Sequence, residues 1–164
     1  MRACARRFAM ISSMITALAM ASERAEASGG PFGLGLILGS PTGISGKLYL
    51  NQKNAIDFAL GAAFLSSNGL HVHVDYLWHP IMLTQDEAFF MPLYVGVGAR
   101  ILDHDHGNDD DDVHLGVRVP AGILFDFRAV PLDVFLEVAL IVDFVVDHGD
   151  HVDLNASLGA RYYF

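Results

Sequence analysis

The chain has 164 residues, 52% of them hydrophobic, with a mean hydropathy of +0.37 and a formal net charge of −9. That length suits one domain, and an acidic chain without a basic patch excludes nucleic acid as a partner. Beyond the N-terminus no run approaches the roughly 18 consecutive apolar residues of a transmembrane helix, so the hydrophobicity is spread by alternation.

The N-terminus is a separate object. Arg2, Arg6 and Arg7 form a basic start, Phe8 to Ala21 is mostly apolar, and Ala25-Glu26-Ala27 is a small-x-small cleavage site. This is the three-part layout of a secretory signal peptide. It predicts a cleaved segment over 1–27 and a single barrel domain over 28–164. Ala19-Met20-Ala21 is the competing cleavage site, and a membrane-anchoring helix is the competing reading. Cleavage after Ala27 would remove four of ten cations and two of nineteen acids, leaving 6 against 17 and a net charge of −11. Cys4, the sole cysteine, would leave too; it precedes the apolar core, unlike a lipoprotein cysteine. No disulfide then helps hold the exported chain together.

Eight alternating segments follow Gly30. Successive strand side chains point to opposite faces, so each segment reads as a strand with one apolar face. The first, Phe32 to Gly39, sets Leu34, Leu36 and Leu38 against Gly33, Gly35 and Ile37, and Ser40-Pro41-Thr42 turns the chain. The second, Gly43 to Leu50, sets Ile44, Leu48 and Leu50 against Ser45, Lys47 and Tyr49; the third, Ala55 to Phe64, sets Ile56, Phe58, Leu60 and Phe64 against Asp57, Ala59 and Gly61. In the fourth, Leu70, Val72, Val74, Tyr76 and Trp78 alternate with His71, His73, Asp75, Leu77 and His79. Pro80 to Glu87 reads as a connection to the fifth, where Leu93, Val95, Val97, Ala99 and Ile101 oppose Tyr94, Gly96, Gly98 and Arg100. The acidic stretch Asp103 to Asp112 precedes the sixth strand, Leu115 to Phe125, whose other face carries Gly116, Arg118, Pro120 and Gly122. The seventh, Leu132 to Phe144, carries Asp133, Phe135, Glu137, Ala139, Ile141 and Asp143 between its apolar residues. The eighth, His151 to Phe164, sets Val152, Leu154, Ala156, Leu158, Ala160, Tyr162 and Phe164 against Asp153, Asn155, Ser157, Gly159, Arg161 and Tyr163.

Eight strands with short connections and no helical periodicity predict an all-β fold, an eight-stranded antiparallel up-and-down transmembrane β-barrel. The face opposite the apolar one carries Lys47, Asp57, His71, His73, Asp75, His79, Arg100, Arg118, Asp133, Glu137, Asp143, Asp153 and Arg161. Interspersed with Gly, Ala and Ser, these suit a narrow lumen that side chains just fill. Buried ions are costly unless partnered, so the cations Lys47, Arg100, Arg118 and Arg161 are expected to pair with acids such as Asp57, Asp75, Glu137 and Asp153. Tyr76, Trp78, Phe125, Phe144, Tyr162 and Phe164 are expected to form interfacial girdles.

The final strand resembles the C-terminal recognition strand of bacterial outer-membrane barrels: terminal Phe164 is preceded at every second position by Tyr162, Ala160, Leu158 and Ala156. The resemblance implies a membrane-insertion signal at those five residues. The whole mature region resembles the small eight-stranded outer-membrane barrels of the outer-membrane protein A and X type. The stretch G-L-G-L-I-L-G-S-P-T-G-I-S-G-K-L-Y-L, with N-A-I-D-F-A-L and L-H-V-H-V-D-Y-L-W-H, is similar to a little-characterised single-barrel family of spirochaetes and delta-proteobacteria. That resemblance implies location and fold, with no established activity. No peptidoglycan-binding domain is expected, since the sequence stops at the last strand.

Two connections carry metal-type ligands. Asp103, His104, Asp105, His106, Asp109, Asp110, Asp111, Asp112 and His114 form one cluster, and His148, Asp150 and His151, with Asp147, the other. Carboxylates favour calcium or magnesium and imidazoles favour zinc, copper or nickel. A solvated acidic loop is the favoured reading; the competing one is weak divalent-cation binding, shared with lipopolysaccharide phosphates. No resident cofactor is expected. Along the fourth strand, His71, His73, Asp75 and His79 share a face, but same-face neighbours lie about 7 Å apart, so a hydrogen-bond network is favoured over a metal site.

The function predicted is a non-enzymatic outer-membrane barrel with a structural, adhesive or membrane-integrity role. Its partners would be outer-membrane lipid and lipopolysaccharide, the barrel-assembly machinery during insertion, and an unidentified extracellular ligand of the loops. An enzyme acting on lipid A is the alternative, with Ser40, Ser66, Ser67, His148 and His151 near the outer rim but no spacing that specifies a triad. A soluble lipocalin-like lipid carrier is the third reading.

Overall fold

A computed structural model describes residues 30–62, 69–104, 112–144 and 151–164, without the side chains of 104, 112–114 and 151. The predicted signal segment therefore lies outside the described residues. Eight strands follow in order: β1 (Phe32–Gly39), β2 (Thr42–Tyr49), β3 (Asn54–Ala62), β4 (Gly69–Gln85), β5 (Phe89–His104), β6 (Asp112–Phe127), β7 (Leu132–Phe144) and β8 (His151–Tyr163). Each pairs antiparallel with the next, and β1 pairs β8, so the sheet closes into a barrel. Closure leaves no strand edge unpaired, which eight strands with apolar outer faces require.

The closing seam runs from Gly33 opposite Tyr163 to Gly39 opposite Ser157. At the β1–β2 turn Gly39 holds φ at +121°, a conformation closed to most L-residues, and its amide and carbonyl both bond to the Thr42 hydroxyl at 3.0 Å. Antiparallel order places this turn at one end, with the strand ends at Ala62, Gly69, His104, Asp112, Phe144 and His151. The other three connections share the opposite end with Pro31 and Phe164.

One boundary differs from the sequence reading. Pro80 does not end β4; pairing with β5 continues to Gln85 opposite Phe90, through register shifts between Trp78 and Ile81 and between Met82 and Thr84. A proline lacks a ladder donor, and the irregularity around Pro80 removes the need for one. Because β3 stops pairing at Asn54 opposite Trp78, the β4–β5 hairpin extends past the neighbouring wall.

The orientation of the faces is unambiguous. Leu154 is 70% exposed, Val152 72% and Val117 44%, whereas Asp75, Arg118 and Arg161 are each 1% exposed. Of the thirteen ionisable residues assigned to the inner face, twelve are buried and Asp153 is half-buried. An apolar sleeve thus surrounds a charged interior, the inverse of a soluble barrel.

Among the described residues the aromatics do not form two girdles. Phe32, Phe58, Tyr76, Trp78, Phe89, Phe125, Phe127, Tyr162 and Phe164 gather at the end that holds Phe164, with ring contacts such as Phe32–Phe58 (6.4 Å), Phe89–Phe125 (5.9 Å) and Tyr162–Phe164 (5.2 Å). Among the described residues only Phe144 stands near the opposite rim.

Candidate functional site

The chemistry of the described residues lies in the lumen, which buried side chains line. At the end holding Phe164, Tyr49 and Tyr163 pack at 5.8 Å, Tyr49 and His79 at 5.6 Å, and His79 and Tyr94 at 5.7 Å. These rings join Ile37, Leu77, Leu124 and Phe135 in an apolar plug. Lys47 rests on it, fully buried. Its Nζ lies 2.9 Å from His79 Nε2, 4.6 Å from the centre of the Tyr49 ring and 5.3 Å from that of Tyr94. Lys47 had been expected to meet a carboxylate; the structure gives its ammonium an imidazole and two ring faces instead. Cation–π attraction strengthens when the cation is desolvated, as here.

Above the plug each arginine holds two carboxylates. Arg161 pairs with Asp57 across the lumen and with Asp133 (3.2 Å), its register partner on β7. The guanidinium also stacks 4.0 Å from the centre of the Phe135 ring. Arg118 bonds Asp75 at 2.7 Å and pairs with Glu137, which also accepts from the Tyr94 hydroxyl at 3.0 Å. Tyr163 donates to Asp133 at 2.5 Å. Nearest the loop end, Arg100 pairs with Asp143 and, at 3.0 Å, with Asp153. The Asn155 amide fits between them, donating to Asp153 and accepting from Arg100 at 3.1 Å each.

Sequence reasoning grouped the acids and arginines of this interior. That grouping does not say which acid meets which guanidinium, because that depends on register and barrel stagger. It also held the histidines of β4 apart. In the structure His73 Nδ1 and His71 Nε2 lie 3.2 Å apart, with ring centres at 5.3 Å, so the two side chains lean together across the usual same-face spacing. His79 instead turns to Lys47 and to the Lys53 carbonyl, at 3.0 Å. A cluster that combines two strands also emerges: His73 Nε2 lies 4.0 Å from Asp57 Oδ2 and 3.8 Å from Asp75 Oδ2.

The proposed surface metal ligands fall almost wholly beyond the described residues. Asp105, His106, Asp109, Asp110, Asp111, His148 and Asp150 lie outside them, as do Ser66 and Ser67. His104, Asp112, His114 and His151 lie on strands, without described side chains; Asp103 is half-buried on β5. Ser40 is buried at the β1–β2 turn. Of the terminal residues, Tyr162 and Phe164 are exposed, with Leu158 and Ala156, while Ala160 is half-buried.

A closed eight-stranded antiparallel barrel with an apolar exterior and an ion-paired interior is the class this fold defines. Among solved structures the chain is similar to the N-terminal β-barrel domain of Pseudomonas aeruginosa OprF. The TM-score is 0.54 at 16% identity, covering 81% of this chain and 94% of that one. At that identity the likeness is one of fold. No protein-family model matches the sequence, and no curated protein matches it.

Proposed function

We propose that this protein is an outer-membrane barrel whose role is structural or surface-interactive, without catalysis of its own. One observation carries the reading: the wall presents Leu, Val and Ile to the outside along all eight strands while charged side chains are sealed inside. Such a surface in water would be an apolar patch far larger than the few hundred Å² that soluble monomers expose. In a bilayer the same surface is solvated, and closure leaves no strand without a neighbour on either side. The charged interior also removes the basis for a lipocalin-like carrier, which needs an apolar cavity. The likeness to the OprF barrel supports this reading, as does the alternating terminal strand, which we take as the insertion signal. The narrower resemblance to single-barrel proteins of spirochaetes and delta-proteobacteria belongs to the same proposal, as do export by a cleaved 1–27 segment and contact with lipopolysaccharide and the assembly machinery.

The test is fractionation with gel migration. The protein should sediment with outer membranes and shift its migration on boiling, since folded barrels resist detergent until heated. Release without detergent, at one gel position, would overturn the reading. Lipid A from cells with and without the protein should be identical; altered acylation would instead favour an enzyme.

A further inference from the structure

The middle of the lumen holds three side chains whose facing atoms have an unusual spacing. His73 Nε2 lies 3.8 Å from Asp75 Oδ2 and 4.0 Å from Asp57 Oδ2, and one donor atom from each residue can be chosen with all three within 4.8 Å. These separations are too long for hydrogen bonds. They match two ligands on one metal ion, since bonds of about 2.0–2.2 Å put ligand atoms roughly 3.4–4.4 Å apart. All three residues are buried, and His73 Nε2 and Asp75 Oδ1 have no hydrogen-bond partner. A buried imidazole nitrogen that faces two carboxylates without bonding to either calls for a partner between them.

Two further features point the same way. Asp57 and Asp75 are register partners on β3 and β4, directly opposite one another, an arrangement in which like charges destabilise a sheet. The surrounding ring has four carboxylates (Asp57, Asp75, Asp133, Glu137) against three cations: Arg118, Arg161 and Lys47, which is Asp57's register partner on β2 although its ammonium is directed to His79. A cation between the two aspartates offsets that excess. Arg161 takes Asp57 by Oδ1, which leaves Asp57 Oδ2 toward His73; Arg118 holds Asp75 Oδ2, so that oxygen would be shared between guanidinium and ion, while Asp75 Oδ1 has no partner. The His71–His73 contact, at 3.2 Å, admits the tautomer such a site needs: where His73 Nδ1–H donates to His71 Nε2, the His73 Nε2 lone pair faces the aspartates, the role an outer-shell partner plays for a zinc-bound histidine.

We propose that Asp57, His73 and Asp75 form an interior site for one divalent transition-metal ion, with His71 as the positioning residue. The mixed imidazole and carboxylate set selects zinc-class ions over calcium or magnesium. The ion enters as the barrel closes, because the ligands are buried afterwards, and it ties β3 to β4 at mid-wall. This goes beyond a structural barrel role and is separate from metal binding by the acidic loops.

The test uses the full chain, extracted in detergent, unfolded with chelator and refolded with Zn²⁺, in parallel with a version in which His104, His106, His114, His148 and His151 are changed to Gln. After desalting, elemental analysis should find about one zinc per heat-modifiable barrel in both, as expected for metal captured on folding. His73→Ala in the Gln background should reduce bound zinc to near none, and Asp57→Asn should reduce it strongly. Should either variant fail to fold, X-ray absorption on the zinc-loaded Gln-background barrel decides, and a shell of one imidazole with carboxylate oxygens is expected. Folded barrel without zinc, zinc retained by folded His73→Ala, or an all-oxygen shell would overturn the proposal, leaving water between the three side chains.

Discussion

Arg118 and Asp75 sit on strands that are not paired, and Arg118 Nε reaches Asp75 Oδ2 at 2.7 Å over Gly98 on the strand between them. The same construction recurs one tier higher, where Arg100 and Asp143 meet over Gly116, and again where the Tyr94 hydroxyl reaches Glu137 over Gly122. In each case a Cβ on the central glycine would occupy the space of the interaction itself, colliding with Asp75, Asp143 or the Tyr94 ring. The inward glycines are therefore seats for bonds between second-neighbour strands.

Gly98→Ala should accordingly destabilise the barrel by about 1–3 kcal/mol, the usual cost of overpacking. Urea unfolding in lipid vesicles, compared with the unchanged protein, measures it. A variant as stable as the parent would show that the Asp75–Arg118 pair is not seated as described.

Arg118→Leu should be costlier, at about 3–5 kcal/mol, because Asp75 and Glu137 are left buried without their cation. Arg100→Leu should cost less, since its partner Asp153 is 32% exposed and water can replace the guanidinium there. The order of the two unfolding midpoints is the decisive quantity.

Val138, half exposed at the middle of β7, should not tolerate charge. Val138→Arg should lose about 2–4 kcal/mol at the bilayer midplane, while Leu154→Arg, nearer the loop end, should lose less. Equal, negligible losses would place both positions in water.

Phe164 contacts the Tyr162 ring, and its amide bonds to the Phe32 carbonyl at 2.9 Å across the closing seam. Phe164→Ala should lower the fraction of chain that reaches the heat-modifiable form in cells, with less effect on refolding from urea. Equal reductions in both assays would assign Phe164 to stability alone.

Strand number, strand order and the inward face were legible because period-two patterning is a local property, readable from stretches such as Leu132–Phe144. Pro80 misled because a proline normally ends a strand, and only pairing with β5 shows the irregular register that accommodates it. The interior cluster was hidden for a different reason. Asp57 lies sixteen residues before His73, and nothing local indicates that antiparallel pairing returns them to one level. Likewise, Lys47 gave no sign of choosing His79 over an acid, since that choice depends on the ring plug beneath it.

The gathering of aromatic side chains at a single rim has a mechanical consequence. Tyr and Trp favour the headgroup level, so a cylinder placed in a bilayer as proposed would be moored at the rim that holds Trp78 and Tyr162 and held less firmly at the other. Where the surrounding sheet of lipid thickens or thins, the mismatch would then be taken up at the rim that holds Gly39 and Phe144.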